Sequence, residues 1–131
     1  IPNLLLKGIK ESLKKSKAKK IYICNAMQQP GETDGYTVSD HIKAINDNIG
    51  EGIIDSVIVD PRDIPKDILE RYKSMNSDKV ELDREKIKEY NVELIERDIL
   101  EIDSKGMVRH HPYKLSAIIY SLIDNWREFY V

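Results

Sequence analysis

Apolar residues recur along this 131-residue chain in two patterns that alternate with each other. Short continuous apolar runs within residues 20–25, 56–59 and 92–99 are typical of strands buried on both faces. Around them, apolar residues are spaced three or four positions apart, as on one face of a helix. Because the two patterns alternate over the first two-thirds of the chain, the sequence predicts βαβ units and an α/β fold with a mostly parallel sheet. The helical positions are Leu5, Leu6, Ile9 and Leu13, then Ile42, Ile45 and Ile49, then Leu115, Ile118, Ile119, Leu122, Ile123 and Trp126.

Turn and capping residues mark the ends of several elements. Thr37 or Ser39 can cap a helix that ends at Gly50, with Asp40 supplying a negative first turn. Asp63 is expected to cap the next helix, with Pro65 in its first turn. The remaining predicted elements are a short strand at 79–82, a helical turn or two at 84–90, a hairpin turn at 103–106 and a last helix that begins near residue 111.

The stretch Asn25–His41, NAMQQPGETDGYTVSDH, is the longest and most unusual strand-to-helix connection. Ligands of parallel sheets bind beyond the carboxyl ends of strands, where this connection lies together with residues 60–65 and the turn before the last helix. Its amides can donate and accept hydrogen bonds, its glycines allow close approach to a ligand, and the following helix N-terminus favours an anionic group. Irregular loops that bind nothing use the same residue types, so the composition favours ligand binding without excluding a structural loop.

No cluster of residues indicates catalysis or a resident metal. Glu32 and Asp34 could form a metal-binding or acid–base pair, but two acids at this spacing are commoner as charges that approach a helix. His41, beside Asp40, is better explained by capping or packing than by ligation. The three histidines lack the spacing of a zinc site, and Cys24 is the only cysteine. Since the Walker motif, the glycine-rich phosphate fingerprint and the nucleophile elbow are also absent, we predict no catalytic and no metal-binding residues.

Length and charge narrow the class of protein further. The chain suits one small domain, and its net charge of −2 gives no general case for nucleic-acid binding. Residues 1–20 carry seven lysines against Glu11, which is better explained as the solvated face and positive end of a helix than as a phosphate-binding patch. No apolar run is long enough to span a membrane. Since Cys24 is single and lies in an apolar run, we expect a buried thiol in a reducing, cytoplasmic compartment.

Three segments resemble a known family. MQQPGETDGYTVSDHIKAI is similar to the signature MTQPGETDGYTxSDHxxAI of the gluconeogenesis-factor family, the YvcK-like proteins of the CofD superfamily (UPF0052). IPNLLLKGI resembles the helix after that family's GPGSLYTS loop, and VRHHPYKLSAII resembles its closing RHDPxKLAxxI segment. Gln28 stands where threonine is usual and His111 where aspartate is usual. The resemblance covers essentially the whole chain in order and with similar spacing.

The resemblance implies a Rossmann-like three-layer α/β/α domain, of which residues 1–131 would be the C-terminal half. The family's glycine-rich GGGTG turn and its GPGSLYTS loop would lie upstream of Ile1, so the missing N-terminal half of the same protein is an expected partner. Proteins of the YvcK type bind UDP-activated sugars, of the UDP-N-acetylglucosamine type, and regulate carbon metabolism and cell-wall morphogenesis without an established enzymatic activity. The related CofD branch transfers a phospholactyl group from a guanosine-nucleotide donor to a deazaflavin, and only that alternative implies magnesium. Assembly into a homo-oligomer is left open.

By the same resemblance, the uridine side of a UDP-sugar should meet the loop Gln28–Thr37. Tyr72, in LERYK, and Arg109, in VRHHP, resemble the tyrosine and arginine that this family uses for its nucleotide-sugar. A tyrosine ring can stack on a base or sugar, and an arginine can grip a phosphate with two nitrogens. Tyr72 could equally be a helix residue that packs on the sheet. The complete predicted ligand-binding set is Asn25, Gln28, Gln29, Gly31, Glu32, Thr33, Asp34, Thr37, Tyr72 and Arg109.

Overall fold

A three-stranded parallel sheet, in the order β1-β2-β3, forms the centre of the chain, and a separate antiparallel pair, β4-β5, follows it. The computed structural model describes the backbone of residues 2–130 and the side chains of residues 3–123. The strands are β1 (Ile21–Ile23), β2 (Ser56–Val59), β3 (Glu93–Glu96), β4 (Leu100–Ile102) and β5 (Val108–His110). The helices are a 3₁₀ turn (Pro2–Leu5), α1 (Lys7–Lys15), α2 (Val38–Ile49), α3 (Lys66–Ser74), α4 (Arg84–Ile87) and α5 (Pro112–Tyr130).

Apolar packing on both faces of the sheet produces three layers. All four residues of β2 are buried, as a central parallel strand requires. On one face, α2 buries Val38 and Ile42 against Val57 and Val59, with Ile87 of α4 in the same cluster. On the other face, residues of β2, β3 and the segment after β3 pack against α5; they are Ile58, Ile95 and Ile99, with Leu115, Ile118, Ile119 and Leu122. The predicted α/β fold with a parallel sheet is therefore confirmed.

Local capping explains why α2 begins and ends where the sequence predicts. The Thr37 hydroxyl accepts a hydrogen bond from the Asp40 N–H, and the Asp40 carboxylate accepts one from the Thr37 N–H, which together form a capping box. At the other end Gly50 adopts φ 106°, a conformation that favours glycine. Asp83, just before α4, accepts hydrogen bonds from both the backbone N–H and the hydroxyl of Ser39. The start of α2 is therefore fixed from two directions.

Two predictions about local structure are wrong. Residues 79–82 do not form a strand; Lys79 makes a single antiparallel bridge to Met27, and Val80 N–H donates to the Ala26 carbonyl 2.9 Å away. This segment uses its backbone groups to hold the β1–α2 loop instead of extending the sheet. Asp63 does not cap α3 either, because the helix starts at Lys66 and the position directly before it is occupied by Pro65. The helical turn at α4 and the β4–β5 hairpin are confirmed.

Candidate functional site

The β1–α2 loop, residues 24–37, folds back on itself through bonds among its own residues. The N–H groups of Glu32 and Thr33 donate to the Gln29 carbonyl at 3.0 and 2.9 Å, and the Thr33 hydroxyl accepts from the Gln29 N–H at 2.8 Å. The Asp34 carboxylate accepts from the Gly31 N–H at 2.7 Å. Gly31 itself adopts φ 79°, so a side chain there would be strained. Thr33, Asp34 and Gly31 therefore build the loop.

Gln28 anchors the loop to distant parts of the chain. Its side-chain oxygen accepts from the Gly35 N–H at 3.0 Å, and its side-chain nitrogen lies 3.4 Å from the Lys79 carbonyl. Its backbone N–H donates to the Asp78 carbonyl at 2.8 Å, and its carbonyl accepts from the Ser77 hydroxyl at 2.6 Å. Because both ends of the amide are engaged within the protein, the Gln28 side chain is held in place, and one lone pair and one N–H are left for a ligand.

Three other side chains of the loop are uncommitted. Within residues 3–123, Asn25, Gln29 and Glu32 make no side-chain hydrogen bond or ion pair. Two amides and one carboxylate therefore keep their full donor and acceptor capacity and face cavities.

The first cavity, which we call the loop–hairpin cavity, has a volume of about 450 Å³ and lies between the loop, α3 and the β4–β5 hairpin. It brings together half of the predicted ligand-binding set, from three segments that are distant in sequence. These residues are Asn25, Gln28, Gln29, Tyr72 and Arg109. The spacing of these residues in the sequence could not predict that α3 and the β4–β5 hairpin lie next to the loop; the structure shows that they do.

Tyr72 holds the hairpin against α3. Its side chain is buried, and its hydroxyl accepts a hydrogen bond from the Val108 N–H at 2.8 Å while lying 4.0 Å from the sulfur of Met107. Gly106 contacts the guanidinium of Arg71 on the same helix so closely that a Cβ there would collide with it. The hydroxyl of Tyr72 is thus engaged in the fold, and Tyr72 also lines the loop–hairpin cavity.

Arg109 lies at the rim of the loop–hairpin cavity and is oriented by Asp103. Its Nε donates to one carboxylate oxygen of Asp103 at 3.0 Å, while the other oxygen accepts from the N–H groups of Lys105 and Met107, each at 2.9 Å. The Met107 N–H, followed by the Arg109 guanidinium, lowers the pKa of Asp103. The two terminal nitrogens of Arg109 have no partner among the described residues, and they can grip an anion bidentately.

His110 belongs to the same cavity and was not predicted. It follows Arg109 on β5, and its Nε2 lies 3.3 Å from the carbonyl oxygen of Cys24 at the end of β1. Only the β4–β5 pairing brings it there, so no local pattern in the sequence could have identified it. Cys24 itself is buried as expected, and burial raises the pKa of its thiol to about 12.

A second cavity, which we call the loop–helix cavity, has a volume of about 630 Å³ on the α2 side of the loop. Four predicted residues line it, namely Asn25, Gln29, Glu32 and Thr33, of which the first two also line the loop–hairpin cavity. Its other walls are the 3₁₀ turn, two tyrosines and α2, through Asn3, Leu4, Leu5, Tyr22, Tyr36, His41 and Ile45. Gly31, Asp34 and Thr37 line neither cavity.

Within the described residues there is no group of three or more histidine, cysteine, aspartate or glutamate side chains that could hold a metal ion. Of the pair Glu32 and Asp34, one oxygen of the Asp34 carboxylate accepts a hydrogen bond from the Gly31 N–H, and the Glu32 side chain has no partner within residues 3–123. None of the helices described is long and apolar enough to cross a membrane.

Comparison with known proteins decides the family. Residues 1–100 match the family model described as 2-phospho-L-lactate transferase CofD. The chain belongs to the CofD family. Its relatives include gluconeogenesis factors: the chain is 40% identical over 123 residues to the gluconeogenesis factor of Bacillus subtilis and 41% identical over 119 residues to that of Halalkalibacterium halodurans. The predicted resemblance to the gluconeogenesis factors of the CofD/UPF0052 family is thereby confirmed.

A solved structure supports the same assignment. The chain is 41% identical to a UPF0052-family protein from Bacillus halodurans, whose crystal structure was determined at 2.60 Å, and the two superpose with a TM-score of 0.86 over 90% of this chain. That alignment covers only 38% of the solved chain. The matches to the two gluconeogenesis factors likewise cover 94% and 91% of this chain but only 38% and 37% of theirs. The chain thus spans less than half the length of the relatives it matches.

Proposed function

We propose that this CofD-family chain is part of a regulatory protein that binds a nucleotide-sugar of the UDP-N-acetylglucosamine type. The observation that carries the proposal is the loop–hairpin cavity, where an arginine with free terminal nitrogens stands beside two uncommitted amides. Arginine suits a diphosphate, and the amides of Asn25 and Gln29 suit the edges of a base or the hydroxyls of a sugar. A link to carbon metabolism and cell-wall morphogenesis rests on the resemblance to YvcK-like proteins and belongs to the same proposal.

The proposed site needs more than these 131 residues. Arg109 is one cation at a rim that is open to solvent, whereas a diphosphate carries at least two negative charges. We propose that the chain is the C-terminal half of a nucleotide-binding domain and that the N-terminal half supplies the glycine-rich phosphate loops. The lengths of its relatives are compatible with this division.

Calorimetric titration of the full-length protein with UDP-N-acetylglucosamine tests the proposal. We expect saturable binding, and a matched titration with N-acetylglucosamine alone should give much weaker binding because Arg109 then has no phosphate to hold. No detectable heat with the UDP-sugar, together with no saturable change in an independent binding assay, would contradict the proposal. The 131-residue chain alone should bind more weakly than the full-length protein.

A second candidate function is favoured by the description of the matching family model. That description names a 2-phospho-L-lactate transferase. By the resemblance to the CofD branch, such an enzyme would move a phospholactyl group from a guanosine-nucleotide donor to a deazaflavin with magnesium. No metal-binding cluster occurs within the described residues, so any such acids would have to lie elsewhere in the protein. Incubation of the full-length protein with a deazaflavin acceptor, a phospholactyl-guanosine donor and magnesium distinguishes the two functions, because only the transferase forms a product.

A further inference from the structure

His41, in the first turn of α2, has one ring nitrogen engaged and the other unpaired. Its Nδ1 lies 2.8 Å from the carbonyl oxygen of Thr37, and because a carbonyl can only accept, Nδ1 must carry the hydrogen. The Nε2 of the neutral ring is then a hydrogen-bond acceptor. That atom is buried and has no partner within the described part of the chain. Buried polar atoms in folded proteins nearly always have a partner, so a water or ligand is the expected one here.

The position of His41 shows where that partner can come from. The residue is only 3% exposed, yet it lines the loop–helix cavity. Asn46, on the same helix, also has a buried unpartnered acceptor, its side-chain oxygen, but it lines neither of the two cavities. An unpaired acceptor next to a cavity is therefore a property of His41 and not of α2 as a whole.

The remaining walls of this cavity favour a ligand with an uncharged ring. Tyr36 meets the His41 ring edge to face, with the ring centroids 5.4 Å apart, and Leu4 and Ile45 add apolar surface. Aromatic and aliphatic walls suit the faces of a sugar or a base. The uncommitted carboxylate of Glu32 can accept hydrogen bonds and would repel a phosphate.

We propose that the loop–helix cavity receives the uncharged ring of the nucleotide-sugar and that His41 Nε2 accepts a hydrogen bond from an N–H or O–H of that ring. This inference rests on the proposed function and adds a second compartment to it. Asn25 and Gln29 line both cavities, so one ligand can place its phosphates near Arg109 and extend past these two amides to His41. The donor is either the imide N–H of a pyrimidine base or a hydroxyl of the sugar.

The ¹⁵N resonance of His41 Nε2 tests this contact directly in the full-length protein. Addition of UDP-N-acetylglucosamine should shift the signal as Nε2 gains a donor. If UDP alone produces the same shift, the base is the ring in the cavity; if only the UDP-sugar does, the ring is the sugar. Saturable binding with an unchanged Nε2 signal would overturn the inference and leave the proposed function standing. No binding of either ligand would overturn both.

A pair of variants provides an independent measurement. His41→Phe keeps an aromatic ring against Tyr36 but removes the acceptor, and it should weaken binding of the UDP-sugar by about fivefold, the worth of one neutral hydrogen bond. Asn46→Ala is the matched control, since it removes the other unpartnered acceptor of α2 away from the cavity and should leave affinity unchanged. Equal affinities of both variants and the wild type would contradict the proposed contact, whichever ring occupies the cavity.

Discussion

The β1–α2 loop and the β2–α3 loop, residues 60–65, follow neighbouring strands of the same sheet, yet they use their polar groups in opposite ways. In the β2–α3 loop, Asp60 accepts hydrogen bonds from Arg62 and from the N–H groups of Ile99 and Leu100. Arg62 also pairs with Asp98 at 2.6 Å. The β1–α2 loop instead leaves the side chains of Asn25, Gln29 and Glu32 without partners among the described residues.

Position at the carboxyl end of a parallel strand is therefore not enough to identify a ligand-binding loop. Both loops qualify by position, but the charges of Asp60 and Arg62 in the β2–α3 loop are committed to the fold. The distinguishing feature is the hydrogen-bonding capacity that remains free after the loop has been built. If this comparison is sound, substitution of Asp60 in the β2–α3 loop should change stability, and substitutions of the free side chains around the two cavities should change ligand affinity.

The largest effect is expected for Asp60→Ala. The side chain of Asp60 is 1% exposed, and its loss leaves the backbone N–H groups of Arg62, Ile99 and Leu100 without their acceptor. It also removes one of the two carboxylates that pair with the Arg62 guanidinium. We expect the free energy of unfolding to fall by about 2 to 4 kcal/mol, measured by urea denaturation. Asp63→Ala, in the same loop at a fully exposed side chain, should change it by less than about 0.5 kcal/mol. Equal effects of the two variants would contradict the assigned role of Asp60.

The response to acid gives the same comparison without removing a side chain. Burial by itself raises the pKa of Asp60, but hydrogen bonds from Arg62, Ile99 and Leu100 outweigh it and hold the pKa well below its usual range. A carboxyl whose pKa is lowered by folding stabilises the protein above its unfolded pKa of about 3.9, and this contribution is lost as the pH falls through the folded value. Stability should therefore decline below about pH 5, and less steeply in Asp60→Asn. Parallel pH curves for the two proteins would argue against this.

Arg109→Gln should have the next largest effect, and on ligand affinity instead of stability. A charged hydrogen bond to phosphate contributes about 1.5 to 3 kcal/mol, so the affinity of the full-length protein for UDP-N-acetylglucosamine should fall by about 10-fold or more. Arg97→Gln is the control, because the Arg97 side chain is exposed, donates among the described residues only to the Glu96 carbonyl, and lines neither cavity. An unchanged affinity in Arg109→Gln would remove Arg109 from the site.

These predictions also show which features the sequence could and could not supply. The start of α2 at Thr37, one of the two predicted caps, and its end at Gly50 follow local rules. Which side chains of the β1–α2 loop are used by the fold and which stay uncommitted depends on contacts distant in sequence. For example, Gln28 is held by the Lys79 carbonyl, 51 positions away. His110 was missed for a similar reason, since only the pairing of β4 with β5 brings it to the cavity.

Thr37→Ala tests a residue of the β1–α2 loop that was predicted to bind the ligand and that caps α2 in the structure. Loss of the capping box at α2 should lower the free energy of unfolding by about 1 kcal/mol, which urea denaturation can measure. Affinity for the UDP-sugar, measured under conditions where the variant is folded, should stay within twofold of the wild type. Asn25→Ala should behave in the reverse way, with weakened binding and nearly unchanged stability. Strong loss of binding in Thr37→Ala alone would show that the hydroxyl meets the ligand.

The smallest effect is expected for Asp103→Asn. This variant separates the two roles of the Asp103 carboxylate, which accepts hydrogen bonds from the hairpin backbone and from Arg109. Asparagine keeps an oxygen that can accept from Lys105 and Met107, but its amide nitrogen cannot accept from the Nε of Arg109. The guanidinium then loses its orientation, and affinity for the UDP-sugar should fall by about two- to fivefold, the range for an exposed ion pair. Affinity for uridine, which has no phosphate, should not change.

Combining Asp103→Asn with Arg109→Gln sharpens this last prediction. Because Asp103 is expected to act on the ligand only through Arg109, the double variant should bind the UDP-sugar as weakly as Arg109→Gln alone. A further loss in the double variant would mean that Asp103 contacts the ligand or holds another part of the hairpin. Tighter binding by Asp103→Asn would mean that, in the wild type, repulsion between the Asp103 carboxylate and the phosphates outweighs the benefit of orienting Arg109. Asp103 would then weaken the binding of anions at the cavity rim.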